Sequence, residues 1–189
     1  MTKVISKNKT SDIVYIGIFA AMISICSWIT IPATIPFTLQ TMGIFTAIGI
    51  LGGQRGTLAV LTYILLGAVG IPVFSGFSGG IGIIFGTTGG YIIGFLFSAI
   101  LMWGIEAIFG RNQIVFILSM IAGRLVYGFV ISIATYVFGI PLGGIQAVIM
   151  ATMTGLPGIV IQLLFVPAIV TIVDRGGYFN EPETFTREA

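Results

Sequence analysis

Six apolar runs, at roughly 12–31, 39–52, 56–70, 88–109, 113–138 and 157–174, fill most of this chain. Only glycine, proline and sparse charge punctuate them. Backbone polar groups in lipid must be bonded within the protein, so apolar runs of this kind restrict a chain to very few architectures. The composition agrees: 57% of residues are hydrophobic, 7% are charged and the mean hydropathy is +1.13. Glycine is commoner in membrane helices than in soluble ones, and the 27 glycines here fit a helical protein. The expectation is an all-α integral membrane protein of six transmembrane helices. It divides into a basic cytoplasmic N-terminus over 1–11, one membrane domain over 12–174 and a cytoplasmic tail over 175–189. The runs at 39–52 and 56–70 are shorter than the ~20 residues of a perpendicular span. They are expected to tilt or to be shielded by protein.

The charges orient the bundle. With the Lys-rich N-terminus in the cytoplasm and six alternating spans, Lys3, Lys7, Lys9, Arg55, Arg111, Arg175 and Arg187 all fall inside. Seven of the eight basic residues thus obey the positive-inside rule. Both termini are expected inside, and the uncharged loops at 32–38, 71–87 and 139–156 outside. The first run, Ile13 to Ile31, follows lysines as a secretory signal would. It is long enough to span, however, and Ser27-Trp28-Ile29 is a poor cleavage site, so it reads as a retained helix.

Arg124 is the exception. It lies eleven residues beyond Gln113, about 16 Å along a helix axis, which is past the middle of a ~30 Å hydrocarbon core. An arginine at such depth costs about 2.5–3.5 kcal/mol on insertion scales and usually faces a cavity, an ion pair or a ligand. Glu106 and Asp174 should lie near the inner surface and Glu181, Glu183 and Glu188 in the tail, so no carboxylate shares its depth. One reading has Arg124 bonding backbone carbonyls of the external loops. The favoured reading has it awaiting an anionic ligand, because guanidinium pairs bidentately with carboxylate.

The stretch from 71 to 90 holds Phe74, Phe77 and Phe85 among many glycines. It is too apolar for an ordinary exterior loop and too rich in glycine for a stable span. A re-entrant or capping loop over the external mouth fits both facts, with glycine backbone close to a ligand and the phenylalanines as an apolar lid. Thr87 and Thr88 would sit near the N-terminus of the next helix, where acceptors are favoured. Gly90 and Gly94 form a GxxxG pair that equally suits plain helix packing. Trp28 and Trp103 read as interfacial or core aromatics. With no histidine and a single cysteine, Cys26, metal sites and histidine-based catalysis fall away. No enzyme, metal or cofactor is expected, and nothing in the charge suggests nucleic acid. A small channel remains a rival, though it would need a continuous polar path.

The segments "IPFTLQT" (35–41), "LGGQRGTLAVLTYILLGAVGIPVFSGFSGG" (51–80) and "FGTTGGYIIGF" (85–95) closely resemble the BioY family, the biotin-specific S components of energy-coupling factor (ECF) vitamin transporters. The resemblance covers about 12–174. It implies a multi-pass subunit of a prokaryotic plasma membrane that captures a vitamin from outside. The loaded subunit then engages a module of a transmembrane scaffold subunit and two ATPases. S components commonly dock through an Ala-x-x-x-Ala pattern on the first helix; the counterparts here are Gly17 with Ala21 and Ala20 with Ser24. Packing inside the bundle is the competing reading of both pairs. Gln40, Ser78 and Tyr91, which stand within these segments, are further candidate substrate contacts.

Biotin members carry an Asp and a Lys three residues apart after Leu-Pro-Gly, and an Asn in the glycine-rich loop. In this chain Ile159, Gln162 and Phe77 stand at those positions. A buried polar group left unpaired costs about 1–3 kcal/mol, so a pocket with Ile159 and Phe77 matches biotin's ureido ring poorly. Lipoate keeps the carboxylate and a sulfur ring but lacks that group, and sulfur packs well on aromatic rings. The expectation from sequence is therefore a BioY-like S component shifted toward lipoate, with biotin as the alternative, and with Arg124 as carboxylate anchor.

Overall fold

A computed structural model describes residues 9–31, 37–85, 89–137 and 156–175. The helices are α1 (Lys9–Trp28), α2 (Gln40–Leu51), α3 (Gly53–Ala68), a single turn α4 (Ile81–Ile84), α5 (Gly89–Phe109), α6 (Gln113–Val137) and α7 (Leu156–Arg175). A two-residue antiparallel ladder, β1 (Thr30–Ile31) with β2 (Phe37–Thr38), joins α1 to α2. The stretches Thr10–Trp28 and Gly89–Phe109 are by themselves long and apolar enough to cross a membrane. The apolar stretches Gln40–Leu51, Gln113–Val126 and Gln162–Val173 are shorter.

Short α2 is possible because protein surrounds it. It packs against α1, α3, α5 and α7, and Gln40 and every residue from Gly43 to Leu51 are buried. Small residues let the neighbours approach. A Cβ on Gly49 would stand 2.5 Å from Val170 of α7 and 2.6 Å from Phe116 of α6. Gly43 and Gly56 admit Cys26 and Ile48 in the same way. Gly52, with φ +84, turns α2 directly into α3. Ile48 then lies beside Gly56 and Gln40 beside Tyr63, which fixes the pair as antiparallel.

The α5–α6 hairpin is held as closely. Ser98, one turn beyond Gly94, donates to the Gly94 carbonyl and across to that of Gly123 at 2.7 Å. The Gly90/Gly94 ridge thus lies on the buried side of α5. Asn112 ends the hairpin turn by capping α6, its Oδ1 accepting from the Val115 N–H at 2.8 Å.

Charge collects at one end of the bundle. Asp12 pairs with Arg55 at 3.1 Å, and Glu106 with Arg111 at 3.6 Å. Glu106 also accepts the N–H of Gly53, a free donor of the first turn of α3, where helix polarity favours a carboxylate. Arg111 donates to the carbonyls of Gly49 and Ile50 at the end of α2, where a cation is favoured. Two hairpin turns are thereby clasped together by one acid and one base.

The opposite end carries the glycine-rich segment, and here one expectation needs correcting. Phe74 is no lid residue: it is 3% exposed and meets Tyr63 edge-on with ring centroids 5.5 Å apart. Gly67 makes the room, because a Cβ there would lie 2.0 Å from the Phe74 ring. Ser27 donates to the Val73 carbonyl at 2.6 Å and Trp28 Nε1 to that of Pro72 at 3.0 Å. The base of the segment is therefore part of the core, and only the part beyond it projects.

Candidate functional site

α6 begins at Gln113, so Arg124 lies eleven residues, about three turns, along it. There the Arg124 Nη1 donates to Gln162 Oε1 at 3.2 Å, and Gln162 Nε2 donates in turn to the hydroxyl of Thr41. Three helices meet in this chain of bonds: α6 supplies the guanidinium, α7 the amide and α2 the hydroxyl. Gln162 is only 5% exposed, so its amide is spent wholly inside the protein. Arg124 also lines a small cavity with Thr41, Ile44, Phe45, Phe95 and Ser98. At about 10 Å³ the cavity has room for roughly one water, so a ligand with an anionic end and an apolar body would have to part these walls to reach the cation.

Of the residues singled out from sequence, Arg124 and Gln162 are thus brought into direct contact. Gln40 stands next to Thr41 at the start of α2 and is buried, its Nε2 donating to the Tyr63 hydroxyl at 2.9 Å. Tyr91 is partly exposed in the first turn of α5. Thr87 and Thr88 lie outside the described residues, as does the side chain of Ile159, whose backbone belongs to α7.

Phe77 and Ser78 form a separate group in the projecting loop. Phe74 and Ser78 pair as an isolated antiparallel bridge, closing a turn over Ser75, Gly76 and Phe77. The Ser78 hydroxyl donates back to the Ser75 carbonyl at 2.8 Å. Phe77 has φ +54, alone among the described non-glycine residues in being positive. That conformation belongs to glycine and, less often, to asparagine. Phe77 keeps it while stacked on Trp28, ring centroids 4.8 Å apart and planes 25° from parallel. Its ring is engaged with the end of α1 and remains 65% exposed.

The two small-residue pairs of α1 part company. Ala20 and Ser24 face the core at 0% and 4% exposure, with Ser24 Oγ bonding the Ala20 carbonyl, so they serve packing. Gly17 and Ala21 face outward, and the space over Gly17 is open. Ile13, Val14, Ile18 and Ile25 flank them on the same exposed side.

Sequence reasoning missed Thr41 and Ser98 in the cavity wall and the grip of Trp28 on the loop. Thr41 sits in the quoted "IPFTLQT", but its meeting with Gln162 is a contact between distant helices that no local pattern announces.

The BioY family profile matches residues 1–177. Biotin transporter BioY of Rhizobium etli is 33% identical over 168 residues, covering 81% of this chain and 87% of that protein. Biotin transporter BioY of Thermotoga maritima is 51% identical over 84 residues, which is 44% of this chain and half the length of that relative. A crystal structure of the S-component for biotin from an ECF-type ABC transporter superposes with a TM-score of 0.77 at 27% identity, covering 93% of this chain and 98% of the other.

Proposed function

Because this chain belongs to the BioY family, we propose that it is the substrate-capturing S component of an ECF-type uptake transporter and that its substrate is biotin. The named relatives are biotin transporters and support that vitamin; none supports the lipoate preference read from sequence. Two arguments for lipoate also weaken. The Phe77 ring rests on Trp28, and Gln162 is a polar group that shares its bonds with Arg124 and Thr41.

The observation that carries the reading is Arg124 held by Gln162 at the wall of a cavity deep in the bundle. The cavity measures about 10 Å³ as it stands, so its walls would part to admit biotin; the valerate carboxylate would then take the guanidinium, with Phe45 and Phe95 against the ring system and the 75–85 loop as cover. Six spans, with both termini on the side of Asp12, Arg55, Glu106 and Arg111, follow from the positive-inside distribution. That side is cytoplasmic, and the glycine-rich loop faces out. Gly17 and Ala21 on the open face of α1 are the docking ridge for the scaffold subunit of an ATP-driven module; Ala20 and Ser24 drop out of it. The chain itself performs no chemistry.

Calorimetry of the purified protein with biotin, lipoate and uncharged biotin amide tests this. Biotin should bind tightest, and biotin amide and Arg124→Ala should each lose roughly 10- to 150-fold, the worth of a charge-assisted hydrogen bond of about 1.5–3 kcal/mol. Tighter binding of lipoate than of biotin would restore the sequence reading. Full affinity in Arg124→Ala would remove the anchor.

A further inference from the structure

A second and larger cavity, of about 280 Å³, opens at the charged end of the bundle between α2, α5, α6 and α7. It shares no lining residue with the Arg124 cavity. Its depth is apolar, walled by Ile48, Met102, Phe116, Pro167 and Val170. Its mouth is polar, with Arg111, Asn112, Gln113 and Arg175. From Arg175 back to Pro167 is eight residues of α7, about 12 Å of depth. We propose that this cleft is a binding site for an anionic phospholipid, with the phosphate at the arginine mouth and the upper part of an acyl chain in the apolar depth.

Three features favour that occupant over a small soluble anion. The depth offers carbon, no charge and only two hydroxyls, Ser119 and Thr171, each already donating to a carbonyl of its own helix, so a free phosphate would use only the rim. The same stretches of α6 and α7 expose Ile114, Leu118 and Ile172 at 58–72%, which makes the cleft walls continuous with a lipid-facing surface. Among the described residues that line it, the mouth is cationic on balance: Glu106 offsets Arg111, to which it is bonded, and Arg175 adds a further positive charge in the last turn of α7. Arg111 is already fixed by the Gly49 and Ile50 carbonyls, so one of the two cations is pre-positioned. The small residue Ser119 lines the cleft beside these walls and is the natural place to fill it.

The test uses the full chain in a neutral detergent, titrated with dioctanoyl phosphatidylglycerol, dioctanoyl phosphatidylcholine or inorganic phosphate and read by native mass spectrometry. Phosphatidylglycerol should give a one-to-one adduct retained about tenfold better than phosphatidylcholine, and inorganic phosphate should give none. Arg175→Gln should reduce retention of phosphatidylglycerol to the level of phosphatidylcholine. Ser119→Leu, which fills the cleft, should abolish the adduct, and if it fails to fold the Arg175→Gln result stands alone. Both variants should bind biotin as the parent does, so loss of lipid binding is read separately from the proposed substrate. Equal retention of the two lipids, an unchanged preference in Arg175→Gln, binding of inorganic phosphate alone, or displacement of the adduct by biotin would each overturn the proposal.

Discussion

The turn at Phe77 sets two energies of similar size against each other, and a short series of variants separates them. A non-glycine residue in the left-handed region costs about 1–2 kcal/mol. A stacked aromatic pair returns about 0.5–1.5 kcal/mol beyond the area it covers. At φ +54 and a centroid distance of 4.8 Å, Phe77 meets both conditions. Phe77→Ala keeps the backbone cost and loses the ring, so the turn should open about 2- to 13-fold more often, the stacking energy converted at RT. Phe77→Gly loses the ring and the backbone cost together, at roughly 0.5–1 kcal/mol of extra chain entropy. It should therefore fall between alanine and the parent. Phe77→Asn, a residue that tolerates this conformation, should resemble glycine. Hydrogen–deuterium exchange at the Phe74 and Ser78 amides reads the opening directly, since each donates to the other's carbonyl, at 2.9 and 3.3 Å. Trp28 fluorescence in a Trp103→Phe background reports the stack. Identical exchange in the alanine and glycine variants would refute the backbone cost, and an unchanged rate in Phe77→Ala would refute the role of Trp28.

Other perturbations follow from close contacts. Gly49→Ala puts a methyl group within 2.6 Å of Val170 and Phe116 and should destabilise by about 1–3 kcal/mol, seen as a lower midpoint in thermal unfolding in detergent. Glu106→Ala removes the partner of Arg111 and the acceptor for Gly53 N–H; unfolding should become easier by about 1–3 kcal/mol because a part-buried donor is stranded. Gly17→Leu fills the open groove of α1; it should leave biotin affinity unchanged and weaken co-purification with an ATP-driven module at least several-fold, and undiminished co-purification would remove Gly17 from the docking surface.

The boundaries of the bundle were legible because glycine, proline and charge interrupt apolar helices physically. Gln113 opens α6 where the reading placed it, and that alone fixes how far along the helix Arg124 lies. The contact between Arg124 and Gln162 was approached only residue by residue, since interhelical pairing leaves no trace in local sequence. The face of α1 was not legible either. In a helix apolar on all sides, periodicity cannot tell the side facing lipid from the side facing protein, so Gly17/Ala21 and Ala20/Ser24 looked equivalent until packing separated them. Phe74 misled for a related reason: the notch that receives it is made by Gly67, a residue whose message is the absence of a side chain.

Helix α1 presents Gly17 and Ala21 on its exposed face and holds the glycine-rich loop at its end, through Ser27 to Val73 and Trp28 to Pro72. A straight rod of 20 residues is about 30 Å long, so a tilt of about 10° carries its far end about 5 Å. Bonds of 2.6 and 3.0 Å cannot stretch that far. Any body that seizes α1 and leans on it would therefore drag the glycine-rich loop along or tear it loose, so that a push on the side of the bundle would be felt at its far end.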